Sequence, residues 1–228
     1  MTDHVDDATP KKDIFTTGAS HMALLHNCII RGFNSIWLQA PHIKEADKAD
    51  FIGYSLTWFK FVKSHHDDEE DNLFNKVADI LGDEGVWSQT HEEHESFLGG
   101  LGEFNTYLTS LKSPSDFSGE ELRRIMASFH EPFENHFHSE ISTIADMAGH
   151  PKAPQAGSPK RRRRLQCSRH RSAEAPLWEN WPPMPNPIKW GMVNIAGSWY
   201  SSWWKFSSCD ANQRPKELYA LKDVEVKS

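Results

Sequence analysis

The chain has 228 residues, 38% of them hydrophobic and 25% charged, so it can form one large domain. Its formal net charge of −7 disfavours a nucleic-acid partner. No apolar run approaches the roughly 18–20 residues of a membrane span, and the acidic N-terminus lacks the features of a secretory signal. The 3 cysteines are widely spaced, which favours a reducing compartment. Histidine is unusually frequent, with 13 residues, and because imidazole is the commonest metal ligand, the positions of the histidines carry most of the functional information.

The chain divides into four segments of different composition. The polar residues 1–16 are predicted to be disordered. Residues 17–149 carry apolar side chains at the 3.6-residue period of α-helices, with short breaker segments between them. A basic linker rich in Pro and Ser follows over residues 150–176, and residues 177–228 form a Trp-rich extension.

Four helices are predicted, over residues 20–39, 46–81, 85–112 and 119–149. Ser20 and Ser118 are suitable N-cap residues, Glu121 would complete a capping box with Ser118, and Gly82 is a stop signal. Because the connections are short, neighbouring helices are expected to run antiparallel. The predicted fold is therefore all-α: an antiparallel up-down-up-down four-helix bundle with an irregular Trp-rich C-terminal extension.

Each predicted helix has one apolar face, and histidine interrupts all four faces. The residues predicted to face inward are, in chain order, Met22, His26, Ile29, Phe33 and Ile36; Phe51, Trp58, Val62, His65, Glu69, Leu73 and Ile80; Trp87, His91, His94, Leu98, Leu101 and Leu108; and Leu122, Met126, Phe129, Phe133, His136, Glu140 and Met147. In the second and fourth helices a glutamate follows a histidine by four residues, so both side chains leave the same face.

This set of polar residues differs from a single core histidine, which is usually no ligand. A buried polar group without a partner costs about 1–3 kcal/mol, and an unpaired buried charge costs more. A bound cation removes this cost. The sequence therefore predicts a metal site in the bundle core, formed by His26, His65, Glu69, His94, His136 and Glu140.

The second helix leaves two registers open. His66 and Glu70 repeat the four-residue spacing of His65 and Glu69. Their own partly apolar face comprises Phe59, Val77 and Leu81. The alignment of His65 and Glu69 with Val62 favours that pair as ligands.

The donor types indicate iron as the metal. Imidazole and carboxylate suit iron, no thiolate is available, and six ligands are too many for one tetrahedral zinc. They fit two octahedral irons bridged by the two carboxylates and a solvent oxygen. The Glu-x-x-His spacing of ferritin-like sites is absent. His91 and His94 are also one residue too close for the HExxH motif of zinc proteases.

The chain resembles the hemerythrin-like HHE cation-binding domains, and the fungal members most of all. The resemblance covers about residues 20–149 and rests on MALLHNCIIR at 22–31, HHDDEEDNLF at 65–74, HESF at 94–97 and HFHSE at 136–140. It implies an antiparallel four-helix bundle that holds non-haem iron, usually a di-iron centre. The implied ligands are the six residues named above, with Glu69 and Glu140 as the bridging carboxylates.

One departure from the family pattern concerns the third helix. Oxygen-carrying hemerythrins have a further histidine four residues before the one matched by His94, and Thr90 stands there in this chain. His91 lies on the same face, three residues before His94, and is a candidate seventh ligand. Without it, the site has six protein ligands, which argues against reversible oxygen carriage.

The C-terminal part contains a basic run and most of the tryptophans. Lys160–Arg164 is typical of a nuclear address or a nucleic-acid patch, but its Pro, Gly and Ser neighbours favour a solvated linker. We expect the tryptophans that follow to pack against the bundle rather than stack on bases. Residues 199–206 and 218–221 are predicted to be short extended pieces. The stretch WWKFSSCD at 203–210 matches the ending of fungal family members.

Three functions follow from this interpretation. The leading one is an iron-binding protein that binds or senses iron, oxygen, nitric oxide or peroxide at an open coordination position. The second is a di-iron redox enzyme of the peroxidase or oxidase kind, and the third is a structural or regulatory interaction protein with a stabilising metal. We expect no membrane partner and a cytoplasmic location, with the nucleus as the alternative that Lys160–Arg164 would direct.

Overall fold

The computed structural model describes residues 13–154, 200–210 and 214–222. Most of the N-terminus that we predict to be disordered, the basic run Lys160–Arg164, and the tryptophans at positions 178, 181, 190 and 199 lie outside the described residues. No helix within the described ranges is both long and apolar enough to cross a membrane.

The first helix, α1, runs from Ile14 to Gln39 and begins earlier than predicted. Its N-cap is Asp13, whose carboxylate accepts hydrogen bonds from the backbone N–H groups of Phe15 and Thr16, at 2.8 Å each. Ser20, the predicted cap, lies inside the helix, where its hydroxyl donates to the Thr16 carbonyl at 2.9 Å. The helix thus extends into the segment that composition predicts to be disordered.

The second helical segment changes its helix type partway. A 3₁₀ turn, Glu45–Asp47, leads into α2, Lys48–Asp68. A π turn, Glu69–Leu73, then connects α2 to α3, Phe74–Leu81. Gly82 ends the segment as predicted, at a φ of 56° that glycine adopts without strain.

The π turn moves the buried face of the helix by one residue. Up to its first residue, Val62 and Glu69 are buried as predicted; after it, Phe74 and Leu81 are buried, whereas the predicted Ile80 is 46% exposed. A π turn closes its hydrogen bonds over five residues instead of four, and the N–H of Phe74 donates to the carbonyl of Glu69. The prediction of one uninterrupted inward stripe is therefore wrong beyond Glu69.

The third helix of the bundle, α4, runs from Ser88 to Ser110 with a face that differs from the predicted one. Thr90 and Phe97 are buried together with His94. The predicted inward residues His91 and Leu98 are exposed instead. The large apolar ring of Phe97 takes the core position next to His94, so His91 points outward.

The last helix, α5, runs from Gly119 to Asp146, and a 3₁₀ turn, Met147–Gly149, extends it. Ser118 caps it as predicted and accepts a hydrogen bond from the N–H of Glu121 at 3.3 Å. The carboxylate of Glu121 binds Arg124 instead of closing the capping box. All seven inward residues predicted for this helix are buried.

The helices form the all-α, up-down-up-down four-helix bundle that the sequence predicts. α5 packs against α1 and α4, and α2 packs against the same two helices. Residues 40–47, 82–87 and 111–118 provide the short connections that antiparallel neighbours require.

Two apolar clusters fill the bundle and leave a polar layer between them. On α1, Met22 belongs to the smaller cluster and Ile29 to the larger one, with His26 between them. On α5, Phe137 belongs to the larger cluster and Ile144 to the smaller one. The polar side chains of the core thus lie at one level of the bundle.

The C-terminal segment packs on α1 and α2. It forms two 3₁₀ turns, Trp203–Phe206 and Tyr219–Leu221, where we predict extended pieces. Phe206 is fully buried, and its carbonyl accepts hydrogen bonds from the Ser35 hydroxyl and from the Gln39 amide, the latter at 2.9 Å. The extension therefore packs on the bundle through Phe206, as predicted for its aromatic residues, whereas Trp204 is 56% exposed.

Candidate metal centre

Seven histidines and glutamates from all parts of the bundle converge in the polar layer, and all of them except the partly buried His65 are buried. They are His26 of α1; His65, His66 and Glu69 of α2 and the π turn; His94 of α4; and His136 and Glu140 of α5. Each is at most 7% exposed. The structure thus brings six of the seven predicted site residues together and leaves out His91.

Glu140 lies between histidines of two helices. Its Oε2 atom is 3.2 Å from Nε2 of His26 and 3.8 Å from Nε2 of His136. The i, i+4 spacing places His136 and Glu140 on the same face of α5, and the close packing of α1 on α5 supplies His26.

Glu69 occupies the equivalent position on the other side of the layer. Its Oε1 atom lies 3.0 Å from Nε2 of His65, and its Oε2 atom lies 3.7 Å from Nε2 of His94. Each of the two glutamates therefore presents its carboxylate to two imidazoles, Glu69 with one oxygen for each and Glu140 with Oε2 for both.

The atoms that point into the layer make no hydrogen bonds. They are Nε2 of His26, His65, His66, His94 and His136, and both carboxylate oxygens of Glu69 and Glu140. Two of the outer nitrogens, in contrast, bind backbone carbonyls: Nδ1 of His26 donates to the Phe137 carbonyl at 3.2 Å, and Nδ1 of His66 donates to the Val62 carbonyl at 3.0 Å. Because a carbonyl only accepts, the proton is on Nδ1, and each Nε2 presents its lone pair inward. Nδ1 of His136 makes no hydrogen bond.

Burial shifts the proton affinities of these groups toward their neutral forms. Burial lowers the pKa of His26 to about 4 and, together with the neighbouring His26 and His94, that of His65 to about 3. Burial raises the pKa of Glu69 well above its usual range, and the nearby Glu140 carboxylate adds to this effect. Burial likewise raises the pKa of Glu140. Ionised carboxylates in this layer require a nearby cation.

The layer contains two groups of ligand atoms, each of which could hold a metal ion. Ligand atoms on adjacent corners of an octahedron are about 3 Å apart when metal–ligand distances are about 2.1 Å. The closest imidazole–carboxylate separations are 3.0 and 3.2 Å. The first group consists of ligand atoms of His66, Glu69, His94 and His136, and the second of ligand atoms of His26, His65 and Glu69. Within each group, the atoms lie within 4.8 Å of one another. Glu69 belongs to both groups.

His91 lies outside this layer. Its side chain is 48% exposed, and its Nδ1 donates to Oε1 of Glu70 at 3.1 Å. The same Glu70 oxygen accepts from Nδ1 of His94 at 2.7 Å. Glu70 therefore holds the imidazole of His94 from behind, as carboxylates commonly do for metal-binding histidines. Thr90 takes the buried position on this turn of α4.

His66 is the residue that sequence reasoning left out of the preferred set. We expect His65 or His66 to face inward, and the structure brings both to the layer. Adjacent helical residues differ in direction by about 100°, so both can border an inward face of that width. The adjacent pair of histidines followed by Glu69 is the signal from which both could be predicted.

Comparison with known proteins identifies the class. Residues 17–148 match the hemerythrin HHE cation binding domain, and the chain therefore belongs to this family. It is 27% identical over 214 residues to the dimeric xanthone biosynthesis cluster protein R11 of Cryptosporiopsis sp. (strain 8999), an alignment that covers 88% of this chain and 81% of that protein. No solved structure matches the chain significantly.

Proposed function

We propose that this chain holds a non-haem di-iron centre in its polar layer and binds or senses oxygen, nitric oxide or peroxide there. One observation carries the proposal: the inward nitrogens and oxygens of seven buried side chains have no hydrogen-bond partner. Membership of a cation-binding family supports a metal, and the nitrogen and oxygen donors favour iron.

The residues of the layer have distinct roles in this proposal. His26, His65, His94 and His136 would supply neutral imidazole ligands, and the carboxylates of Glu69 and Glu140 would help to hold the ions and balance their charge. Bound iron would supply an exchangeable coordination position and a reversible change of oxidation state. The apolar clusters above and below the layer exclude water, and their low polarity favours a small uncharged ligand.

A ligand-binding titration tests this function. The iron-loaded protein is reduced under anaerobic conditions, nitric oxide is added, and the visible absorption is recorded. We expect saturable binding of a small ligand in the wild type and in His91→Ala, because His91 is outside the layer. We expect none in a Glu69→Ala/Glu140→Ala variant. Two bound irons with no spectral response to nitric oxide, oxygen or peroxide would contradict a sensing or binding role.

A di-iron redox enzyme is the second candidate, and Glu70 favours it. This carboxylate is 40% exposed and contacts both His94 and the exposed His91, so it connects the layer to solvent and can pass a proton. The relative's printed name associates that protein with dimeric xanthone biosynthesis.

The cavity lined by His42, Lys44, Asp47, Tyr219, Ala220 and Lys222 shares no residue with the layer.

Turnover separates the two candidates. Consumption of peroxide with a reductant, lost in His94→Ala, would support the enzyme. Binding without turnover would support the sensor. Retention of all partner interactions after metal removal would instead support a structural role for the ion. We place the protein in the cytoplasm in each case, with the nucleus as the alternative directed by Lys160–Arg164.

A further inference from the structure

His66 has the features of a metal ligand although its neighbour His65 already faces the layer. The residue is 3% exposed, its Nδ1 donates to the Val62 carbonyl at 3.0 Å, and its Nε2 makes no hydrogen bond. A core histidine with only a structural role satisfies both nitrogens, since one unsatisfied buried nitrogen costs about 1–3 kcal/mol. The free Nε2 lone pair therefore needs a partner that the protein does not provide.

The surroundings of His66 place that partner on one side of the layer. Its ring centroid is 4.7 Å from that of His94 and 5.4 Å from that of His136. Ligand atoms of His66, His94, His136 and Glu69 lie within 4.8 Å of one another. The second group contains His65 and His26 but not His66.

Thr90 explains why this side of the layer needs a histidine from α2. It lies one helical turn before His94 on the same face of α4 and is 1% exposed. Its short hydroxyl side chain cannot reach as far into the layer as an imidazole. α4 therefore offers a single imidazole, and the third nitrogen on this side comes from across the bundle.

We infer that His66 is the third imidazole ligand, with His94 and His136, of one of the two metal positions, and that it fills the place that Thr90 leaves without a ligand. The centre is then asymmetric, with three imidazoles at one position and two, from His26 and His65, at the other. This inference rests on the two-metal centre proposed above. It adds a ligand to the six that the family resemblance implies.

The test removes His66 and restores an imidazole from α4. The full-length variants are His66→Leu, His66→Leu/Thr90→His and, as the matched control, His91→Leu. Each is loaded with ferrous iron alone under anaerobic conditions, and bound iron per chain and the melting temperature are measured. We expect His66→Leu to hold about half of the wild-type iron, because one of the two metal positions loses one of its three nitrogen ligands and no longer holds its ion. We expect the double variant to regain it and His91→Leu to match the wild type.

Two results overturn different parts of the account. Wild-type iron content and an unchanged iron-dependent melting temperature in His66→Leu would overturn the role of His66 alone. A wild-type protein without bound iron would instead overturn the proposed centre. If His66→Leu does not fold, His66→Gly with added free imidazole replaces it: iron content that depends on imidazole supports the inference, and iron content that does not contradicts it.

Discussion

The imidazole of His26 and the carboxylate of Glu140 approach each other to 3.2 Å across the interface of α1 and α5 without forming a hydrogen bond. The Phe137 carbonyl fixes the proton of His26 on Nδ1, away from the carboxylate. When Glu140 is ionised, two acceptors thus face each other in a buried site. This arrangement is unfavourable alone and becomes favourable when both atoms bind a cation.

Metal removal should destabilise the fold. A ligand that binds only the folded state at one hundred times its dissociation constant adds about 2.7 kcal/mol, and for a chain of this size each kcal/mol shifts the melting temperature by about 2–4 °C. We expect chelation to lower the melting temperature by about 5–10 °C, measured by calorimetry. In a Glu69→Ala/Glu140→Ala control, chelator and iron should have no effect. A wild-type melting temperature that is the same with and without iron would argue against a buried metal site.

The metal-free protein should have a stability maximum near pH 6.5. Burial lowers the pKa of His26, His65, His66 and His136 in the folded state, so the contribution of these four imidazoles is present above the unfolded pKa of about 6.5 and is lost as the pH falls toward 4. Below pH 6.5 the four imidazoles outweigh the two buried carboxyls. Burial raises the pKa of Glu69 and Glu140, so their contribution is present below about pH 4.5 and is lost as the pH rises. Above pH 6.5 the histidines are neutral in both states, and only the two carboxyls still change the stability with pH. The free energy of unfolding should therefore fall.

Glu69→Gln/Glu140→Gln is the matched variant for this pH dependence. The amides keep the shape of the carboxyls but do not ionise, so the decline above pH 6.5 should disappear and the loss on the acidic side should remain. Urea unfolding of the metal-free proteins between pH 5 and 9 measures both the acidic loss and the alkaline decline of the free energy of unfolding. An alkaline decline of equal size in the variant would show that other groups cause it.

The contact of the C-terminal segment with the bundle should contribute strongly to stability. Phe206 is fully buried against Phe51, with ring centroids 5.0 Å apart, whereas Trp204 is 56% exposed. Phe206→Ala should cost about 3–5 kcal/mol, and Trp204→Ala should change the free energy of unfolding by less than about 0.5 kcal/mol. Equal effects in urea unfolding would contradict the observed packing.

Two glycines in helices should respond in opposite ways to alanine. A Cβ at Gly119 would collide with the backbone of Ala40, while a Cβ at Gly102 meets nothing within 4 Å. Gly119→Ala should cost about 1–3 kcal/mol, and Gly102→Ala should add about 0.5–1 kcal/mol through helix propensity. Thermal unfolding of the two variants gives the sign of each change, and stabilisation by Gly119→Ala would exclude the close approach.

The sequence predicts best where local pattern and packing agree. On α5 the 3.6-residue period, the cap at Ser118 and the spacing of His136 and Glu140 all indicate one face, and that face is buried. The bundle follows from the helical period of four segments, and the resemblance to its family follows from the motifs around the histidines. The inward position of Glu69 also follows from the period, because it precedes the change of register.

The remaining features depend on tertiary contacts that periodicity does not contain. The π turn at Glu69–Leu73 adds one residue per turn, and it buries Phe74 instead of Leu73 because Phe74 stacks on Trp87 at 4.3 Å. On α4 the aromatic core selects Phe97 over Leu98. This choice turns His91 outward, although a local three-residue spacing predicts it inward.

Iron analysis of protein purified without chelator tests the central claim most directly. The wild type and His91→Ala should contain about two irons per chain, as two octahedral ions sharing these ligands require. Glu69→Ala/Glu140→Ala should contain almost none. Fewer than about one iron per chain in the wild type, or an unchanged iron content in the glutamate variant, would contradict a di-iron centre bridged by Glu69 and Glu140.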